Sequence, residues 1–227
     1  MGLSLNSEDG FLEDFFSKHP SRTLPKNRPL LYQGEVPAMV FFIKSGVVKL
    51  YNITSQGEER TVSYVTDGFF LPTEWIFDKA PVALYYYDTF TDCEIYRIPK
   101  DELIEVLNQN PKAARALLDR AMTMYLGATM HLHALEQSKA RQKLLYIMQY
   151  LTLRFGKKID ESRSKIDLRL THQEIANLIG ITRETVSSEI SKLAKEGVLK
   201  VTDSTYVINT DKAIRILGDD DFKELSL

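Results

Sequence analysis

One cysteine, Cys93, is the whole thiol inventory of this 227-residue chain. That excludes a disulfide framework, and it excludes an iron–sulfur cluster held within one subunit, which takes several thiolates. Histidine is scarce too: four in all, and none between residues 23 and 98. A cupin-like enzyme gathering His and carboxylate ligands in that stretch therefore has no support. No uninterrupted apolar stretch approaches the roughly 18 residues of a membrane-spanning helix, and the first residues show no signal-peptide run. The expectation is a soluble cytoplasmic protein with no catalytic residues, no cofactor and no metal.

What is present looks globular. Hydrophobic residues make up 44% and charged residues 26%, which excludes wholesale disorder, and the length allows two modest domains. The net charge of −2 is unevenly spread. Residues 1–137 carry 13 Lys/Arg against 18 Asp/Glu, residues 138–218 carry 15 against 9, and residues 219–227 carry 1 against 4. A basic block between acidic ones can meet phosphates while the whole chain stays soluble.

Residues 23 to 98 read as strands. Met39–Ile43, Val47–Tyr51, Thr61–Val65 and Cys93–Ile98 are rich in β-branched and aromatic residues, and Gly34, Ser45-Gly46, Gln56-Gly57 and Asp67-Gly68 punctuate them. Short strands at this spacing predict an antiparallel roll or small barrel, with a hairpin turn at Gln56-Gly57. A helix opens at Pro99-Lys100-Asp101-Glu102 and stops near Asn110-Pro111, where Asn110 can cap and Pro111 can start the next helix. That second helix runs to about Leu135 with two apolar stripes. One is Leu117, Ala121, Met124, Ala128, His131, Leu135; the other is Leu118, Met122, Tyr125, Thr129, Leu132. Two stripes imply two surfaces to cover: the roll, and the same helix of a second subunit. Burial within one domain is the alternative. We assign Leu117, Ala121, Met124, Ala128 and Leu135 to the dimer contact. A polar break at Glu136-Gln137-Ser138 marks the hinge, after which a helix spans 139–155.

The strongest signal lies at Thr171–Leu193. Thr171 and Glu174 form a capping box; Ile175, Leu178 and Ile179 give an inward face; Gly180 stands where the chain must turn sharply. Thr182 caps the next helix, whose inward face is Val186, Ile190 and Leu193. Two short helices joined by a tight turn make a helix-turn-helix. Outward on the second helix stand Arg183, Glu184, Ser187, Ser188 and Ser191. Arg can pair with guanine O6/N7, Glu can accept from cytosine N4, and Ser suits phosphates or bases. Gly197 ends this helix, and Val198–Val201 and Thr205–Ile208 flank a turn at Thr202-Asp203-Ser204, which makes a wing. A surface helical hairpin that binds no DNA remains the alternative.

At these residues the chain resembles the Crp/Fnr family (catabolite activator protein/FNR), most closely at Arg183-Glu184-Thr185-Val186-Ser187. The likeness extends over nearly the whole chain, including Gly57, Asn110-Pro111 and Ala140-x-x-Lys143-Leu144. The implied fold is α+β: an N-terminal antiparallel β-roll of cyclic-nucleotide-binding type (1–110), a dimerisation helix and hinge (111–137), a winged helix-turn-helix (138–218) and an acidic tail (219–227). The resemblance implies a homodimeric transcription regulator on a palindromic operator of double-stranded DNA, with half-sites about one helical turn apart. RNA polymerase is a candidate partner. Base-reading candidates are Arg183, Glu184, Ser187 and Ser188; phosphate candidates are Thr171, His172, Thr182, Thr185 and Ser204. Ser188 stands where the family commonly has a second base-reading Arg, which weakens discrimination at one base pair by roughly 1–3 kcal/mol.

Cyclic-nucleotide-binding members carry a Gly-Glu pair and then an Arg-Ser or Arg-Thr pair. Here those positions hold Pro72-Thr73 and Ala83-Leu84, with no cation to meet a phosphate, so cAMP is not expected as effector. Haem would need an axial ligand, for which only His131 and His133 offer themselves. An aromatic patch suggests an apolar or planar effector touching Phe70, Trp75, Tyr86, Tyr125 and Thr129. A ligand-independent factor with a side-chain-filled pocket is the other reading.

Overall fold

The computed structural model describes residues 15–218 except residue 17; the acidic tail at 219–227 lies outside the described residues. The chain divides into two compact units, 1–122 and 123–227. The division falls inside the long helix, between Met122 and Thr123, and not at the polar break near residue 137.

The first unit is an antiparallel β-roll of two four-stranded sheets. One has the order β1 (Ser21–Leu24), β8 (Cys93–Ile98), β3 (Val40–Ser45), β6 (Phe70–Leu71). The other runs β2 (Pro29–Leu31), β7 (Tyr86–Thr89), β4 (Val48–Ile53), β5 (Glu59–Val65). In the second sheet Val48 faces Thr89 and Leu50 faces Tyr87, and all four are buried. Lys49 opposite Asp88, and Tyr51 opposite Tyr86, lie on the other face, as strand alternation requires. The β4–β5 turn closes through bonds from Gly57 N to Thr54 O and from Thr54 N to Glu58 O, both 2.9 Å, at the expected hairpin.

A one-turn helix, α1 (Thr73–Ile76), follows β6, and α2 (Lys100–Gln109) follows β8. Asn110 separates α2 from the long helix α3 (Pro111–Glu136). Its Oδ1 accepts from the backbone N–H groups of Lys112 and Ala113 at 3.0 Å, the cap foreseen for a helix that opens on proline. A core of Phe15, Phe16, Val40, Phe42, Phe70, Ile76, Ile98, Leu103 and Leu117 fastens α2 and the start of α3 to the sheet of β3, β6 and β8. Leu117 is 7% exposed within this core, so it covers the roll, which corrects its assignment to the dimer contact. The side chains that α3 leaves open are Leu118, Met122, Tyr125 and Leu132, each more than half exposed, and Thr129 between them. At this end of the helix the stripe of Leu117 covers the roll, and the stripe of Leu118 and Met122 stands open. Spacing finds both stripes, but only the placement of Leu117 against Phe42 and Phe70 distinguishes them.

The second unit holds the end of α3, α4 (Ala140–Phe155), α5 (His172–Ile179), α6 (Arg183–Lys195), α7 (Thr210–Leu217) and a sheet in the order β11 (Leu199–Thr202), β12 (Thr205–Asn209), β10 (Arg163–Ile166), β9 (Gly156–Lys158). Leu144 to Leu151 of α4 are buried without a break, which makes α4 the axis of the unit. Strands β9 and β10 and helix α7 were not foreseen, because Gly-Lys-Lys and Arg-Ser-Lys-Ile carry almost no apolar signal.

Candidate nucleic-acid interface

Helix α5 begins with both halves of the capping box. The Thr171 hydroxyl accepts from Glu174 N at 3.2 Å, and the Glu174 carboxylate accepts from Thr171 N. It ends at Gly180, left-handed at φ 67°, whose N–H reaches Ala176 O at 2.9 Å. A side chain would strain that conformation. Two residues later the Thr182 hydroxyl accepts from Thr185 N at 3.2 Å and lies 2.8 Å from the Thr185 hydroxyl. Val186, Ile190 and Leu193 are buried, so the opposite side of α6 must face out. Arg183, Glu184, Ser188 and Ser191 are exposed there, and Ser187 is half-buried. Among the described residues neither Arg183 nor Glu184 forms an ion pair. Their heads are available to base edges from the N-terminal half of the helix.

The wing turns through Asp203 at φ 49° and Ser204 at φ 58°, two successive left-handed residues of the kind that close a two-residue hairpin. Ser204 O accepts from Leu170 N at 3.0 Å, and Leu170 O accepts from the Tyr206 hydroxyl at 2.9 Å. Leu170 thus ties the wing to the start of α5, and the structure brings Ser204 to the end of the helix where Thr171 and His172 stand. His172 is half-buried, and burial followed by the charge of Arg183 pushes its pKa below the ordinary 6.5. The imidazole is consequently neutral at pH 7, a donor or acceptor and not a cation.

His131, a member of one α3 stripe and a candidate haem ligand by residue type, bonds within the winged unit. It is 7% exposed, and its Nε2 donates to Leu178 O at 2.7 Å. That carbonyl belongs to the last turn of α5, where helical carbonyls lack helical partners. The ring stacks on Tyr150 of α4 at 6.2 Å. Gly127, one turn earlier on α3, lets the same tyrosine approach, since a Cβ there would lie 3.2 Å from its Cε2. Lys143 of α4 caps α3 by donating to Leu135 O at 2.7 Å, and Arg141 forks onto the Glu196 carboxylate at the end of α6. His133 packs edge-on against Tyr146 at 4.6 Å. No position in the sequence signals these ties, because they join residues up to 55 apart.

In the roll the expected effector residues separate. Phe70 is a core residue, 4.7 Å from the ring of Phe42. Trp75 packs against that same core with the Lys100 ammonium 5.0 Å over its ring. Tyr86 stacks on Tyr51 at 5.1 Å and meets Tyr32 edge-on, on the face of its sheet opposite Tyr87. Tyr125 and Thr129 are exposed on α3. Pleating puts Tyr86 and Tyr87 on opposite faces, so these neighbours in sequence do not share one patch. Where cyclic-nucleotide binders carry their charged pairs, Thr73 donates its hydroxyl to Phe70 O at 2.9 Å, and Ala83 is buried with backbone bonds to Glu35 and Gly34. Two buried hydroxyls escaped the sequence reading: Tyr87 and Thr61, 1% and 3% exposed, find no hydrogen-bond partner.

A β-roll followed by a winged helix-turn-helix that turns Arg183 and Glu184 outward defines a class of DNA-binding regulator. The comparisons with known proteins agree. Residues 21–110 match the cyclic nucleotide-binding domain and residues 142–213 match the Crp-like helix-turn-helix domain. The Global nitrogen regulator of Synechocystis is 24% identical over 193 residues, 85% of each chain. The Transcriptional activator protein anr of Pseudomonas aeruginosa is 29% identical over 204 residues, 87% of this chain and 79% of that one. The solved structure of a cyclic nucleotide-binding domain containing protein from Listeria monocytogenes superposes with a TM-score of 0.75 at 17% identity, covering 89% of this chain and 96% of the other. The chain belongs to the Crp/Fnr family of transcription regulators, which are DNA-binding proteins and not enzymes. No helix among the described residues is long and apolar enough to cross a membrane.

Proposed function

We propose that the chain acts as a homodimer that reads a two-fold-symmetric operator through α6, and that cAMP is not its effector. The observation that carries the reading is the free Arg183–Glu184 pair at the outward start of a helix anchored by Val186, Ile190 and Leu193. Pairing of two chains follows from α3. Leu118, Met122, Tyr125, Thr129 and Leu132 alternate steps of four and three, the repeat of a helix seam, and stand open to solvent. Ala128 and Leu135, both exposed, border that seam. Thr171, His172, Thr182, Thr185 and Ser204 serve the phosphates, while Ser187 and Ser188 complete the reading face. The absence of a cation at Pro72-Thr73 and Ala83-Leu84 argues against a cyclic phosphate, since burying that charge unpaired is costly. An effector of other chemistry and a contact with RNA polymerase remain part of the proposal.

Selection of duplexes from a random pool by the purified protein, without added ligand and in about 100 mM salt, tests the reading. A palindrome should emerge, and Arg183→Ala should weaken its binding by at least tenfold, because each bidentate contact is worth about 1–3 kcal/mol and a dimer makes it twice. Sedimentation of Leu132→Lys as monomers, with the wild type as dimers, checks the seam. Micromolar cAMP binding by calorimetry would overturn the effector statement.

A further inference from the structure

The sheet of the second unit turns only cations outward among its charged strand residues. Register places Lys200 of β11, Val207 of β12, Lys165 of β10 and Lys157 of β9 directly opposite one another, and opposed residues share a face. They form one row across all four strands, roughly 14 Å long at about 4.8 Å per strand. Arg163, opposite Asn209, lies on the same face. On the opposite face Leu199, Tyr206, Ile208, Ile166 and Ser164 are buried, and the one charged strand residue there, Lys158 opposite Ser164 on the edge strand, is exposed. Among the described residues, the acids that pair with cations of this face come from outside its strands. Asp167 pairs with Lys157 at 2.6 Å, and Asp160 pairs with Arg163 at 2.6 Å. Lys165 and Lys200, both exposed, form no ion pair among the described residues.

The row is continuous with the wing. Lys200 lies two residues before Thr202, where the turn to Ser204 begins, and Ser204 is bonded to the residue that precedes Thr171. We propose that Lys157, Lys165 and Lys200 form a second DNA-contacting surface, which holds the phosphate backbone of duplex beyond the half-site read by α6. The inference rests on the DNA reading proposed for Arg183. Duplex DNA offers one charge per about 1.7 Å of axis, so a row of this length meets several phosphates. Lysine is a point charge without the planar fork that reads a base, and the remaining residues, Thr202, Thr205, Val207 and Asn209, are short. The contact is therefore independent of sequence and adds affinity without adding specificity.

The test compares two duplexes, one containing only the two half-sites and one with about one helical turn (~10 base pairs) added on each side. Wild type should bind the longer duplex about tenfold more tightly in 0.1 M salt, with a log–log salt slope steeper by about 2. The full-length variant Lys157→Gln/Lys165→Gln/Lys200→Gln should lose that advantage and that slope, keep its affinity for the short duplex, and unfold at the same denaturant concentration. Equal behaviour of variant and wild type on the long duplex overturns the proposal, as does an equal loss on both duplexes. A variant that binds both duplexes normally but fails to activate transcription also overturns it, assigning the row to an acidic protein surface instead. Arg183→Ala separates the two levels: it should cost affinity on both duplexes, and if it costs none, the reading of α6 itself has failed.

Discussion

Two tyrosines with fully buried rings set the two units apart. Tyr206 in the winged unit is 0% exposed and donates to Leu170 O at 2.9 Å; burial pushes its pKa up to about 12. Tyr87 in the roll is 1% exposed, and its hydroxyl has no partner; burial and then the neighbouring Glu74 and Tyr85 raise its pKa as well. A buried hydroxyl left unpaired costs about 1–3 kcal/mol. The winged unit is thus bonded together around its reading face, Gln149 Oε1 being its one orphaned buried atom among the described residues. The roll keeps hydroxyls at Tyr87 and Thr61 that a polar ligand could satisfy. The bonded tyrosine thus belongs to the DNA-binding unit and the unpaired one to the roll.

The largest effect should come from breaking a bond in the winged unit that also locks helices together. His131→Leu leaves the Leu178 carbonyl without its donor and should cost about 2–3 kcal/mol of unfolding free energy, with operator affinity falling alongside. His131→Gln, which keeps an N–H donor, should recover most of both. Tyr206→Phe orphans Leu170 O and should cost about 1–2 kcal/mol, measured by urea unfolding. Tyr87→Phe removes a hydroxyl that bonds to nothing, so it should be neutral or slightly stabilising. A Tyr87→Phe loss as large as that of Tyr206→Phe would erase the contrast, because the Tyr87 hydroxyl would then have a partner in solution.

The same contrast decides what could be read from sequence. The reading face is legible because local rules build it: the Thr171–Glu174 box, the left-handed Gly180 and the Thr182 cap each involve residues within four of one another, and periodicity then fixes which side of α6 faces out. The Asn110 cap and the Gln56-Gly57 hairpin follow the same logic. Legibility fails where partners come from distant elements. Two stripes on α3 are visible in the sequence, but only the packing of Leu117 into the core of Phe42 and Phe70 says which one covers the roll. Phe70, Trp75 and Tyr86 read as one aromatic patch until pleating puts Tyr86 and Tyr87 on opposite faces. The lysine row needs the register of four strands, two of which have almost no hydrophobic pattern.

A small effect is expected at His172, and it has two opposed signs. Its folded pKa lies below 6.5 through burial and the nearby Arg183. The folded state therefore resists protonation more than the unfolded chain does. The stability this contributes is present above pH 6.5 and is lost as pH falls from 6.5 through the lower folded value. A DNA phosphate beside the ring favours the charged form and raises that pKa. Operator binding should then take up a proton, so affinity should rise modestly as pH falls from 8 to 6 while the free protein becomes slightly less stable. His172→Asn should flatten both trends, leaving unfolding and operator affinity less dependent on pH. Titration of the His172 ring by NMR, free and bound to operator, measures the two values directly. An operator-bound pKa no higher than the free one would remove His172 from the phosphate contacts and leave Thr171 and Ser204 to hold that side of α5.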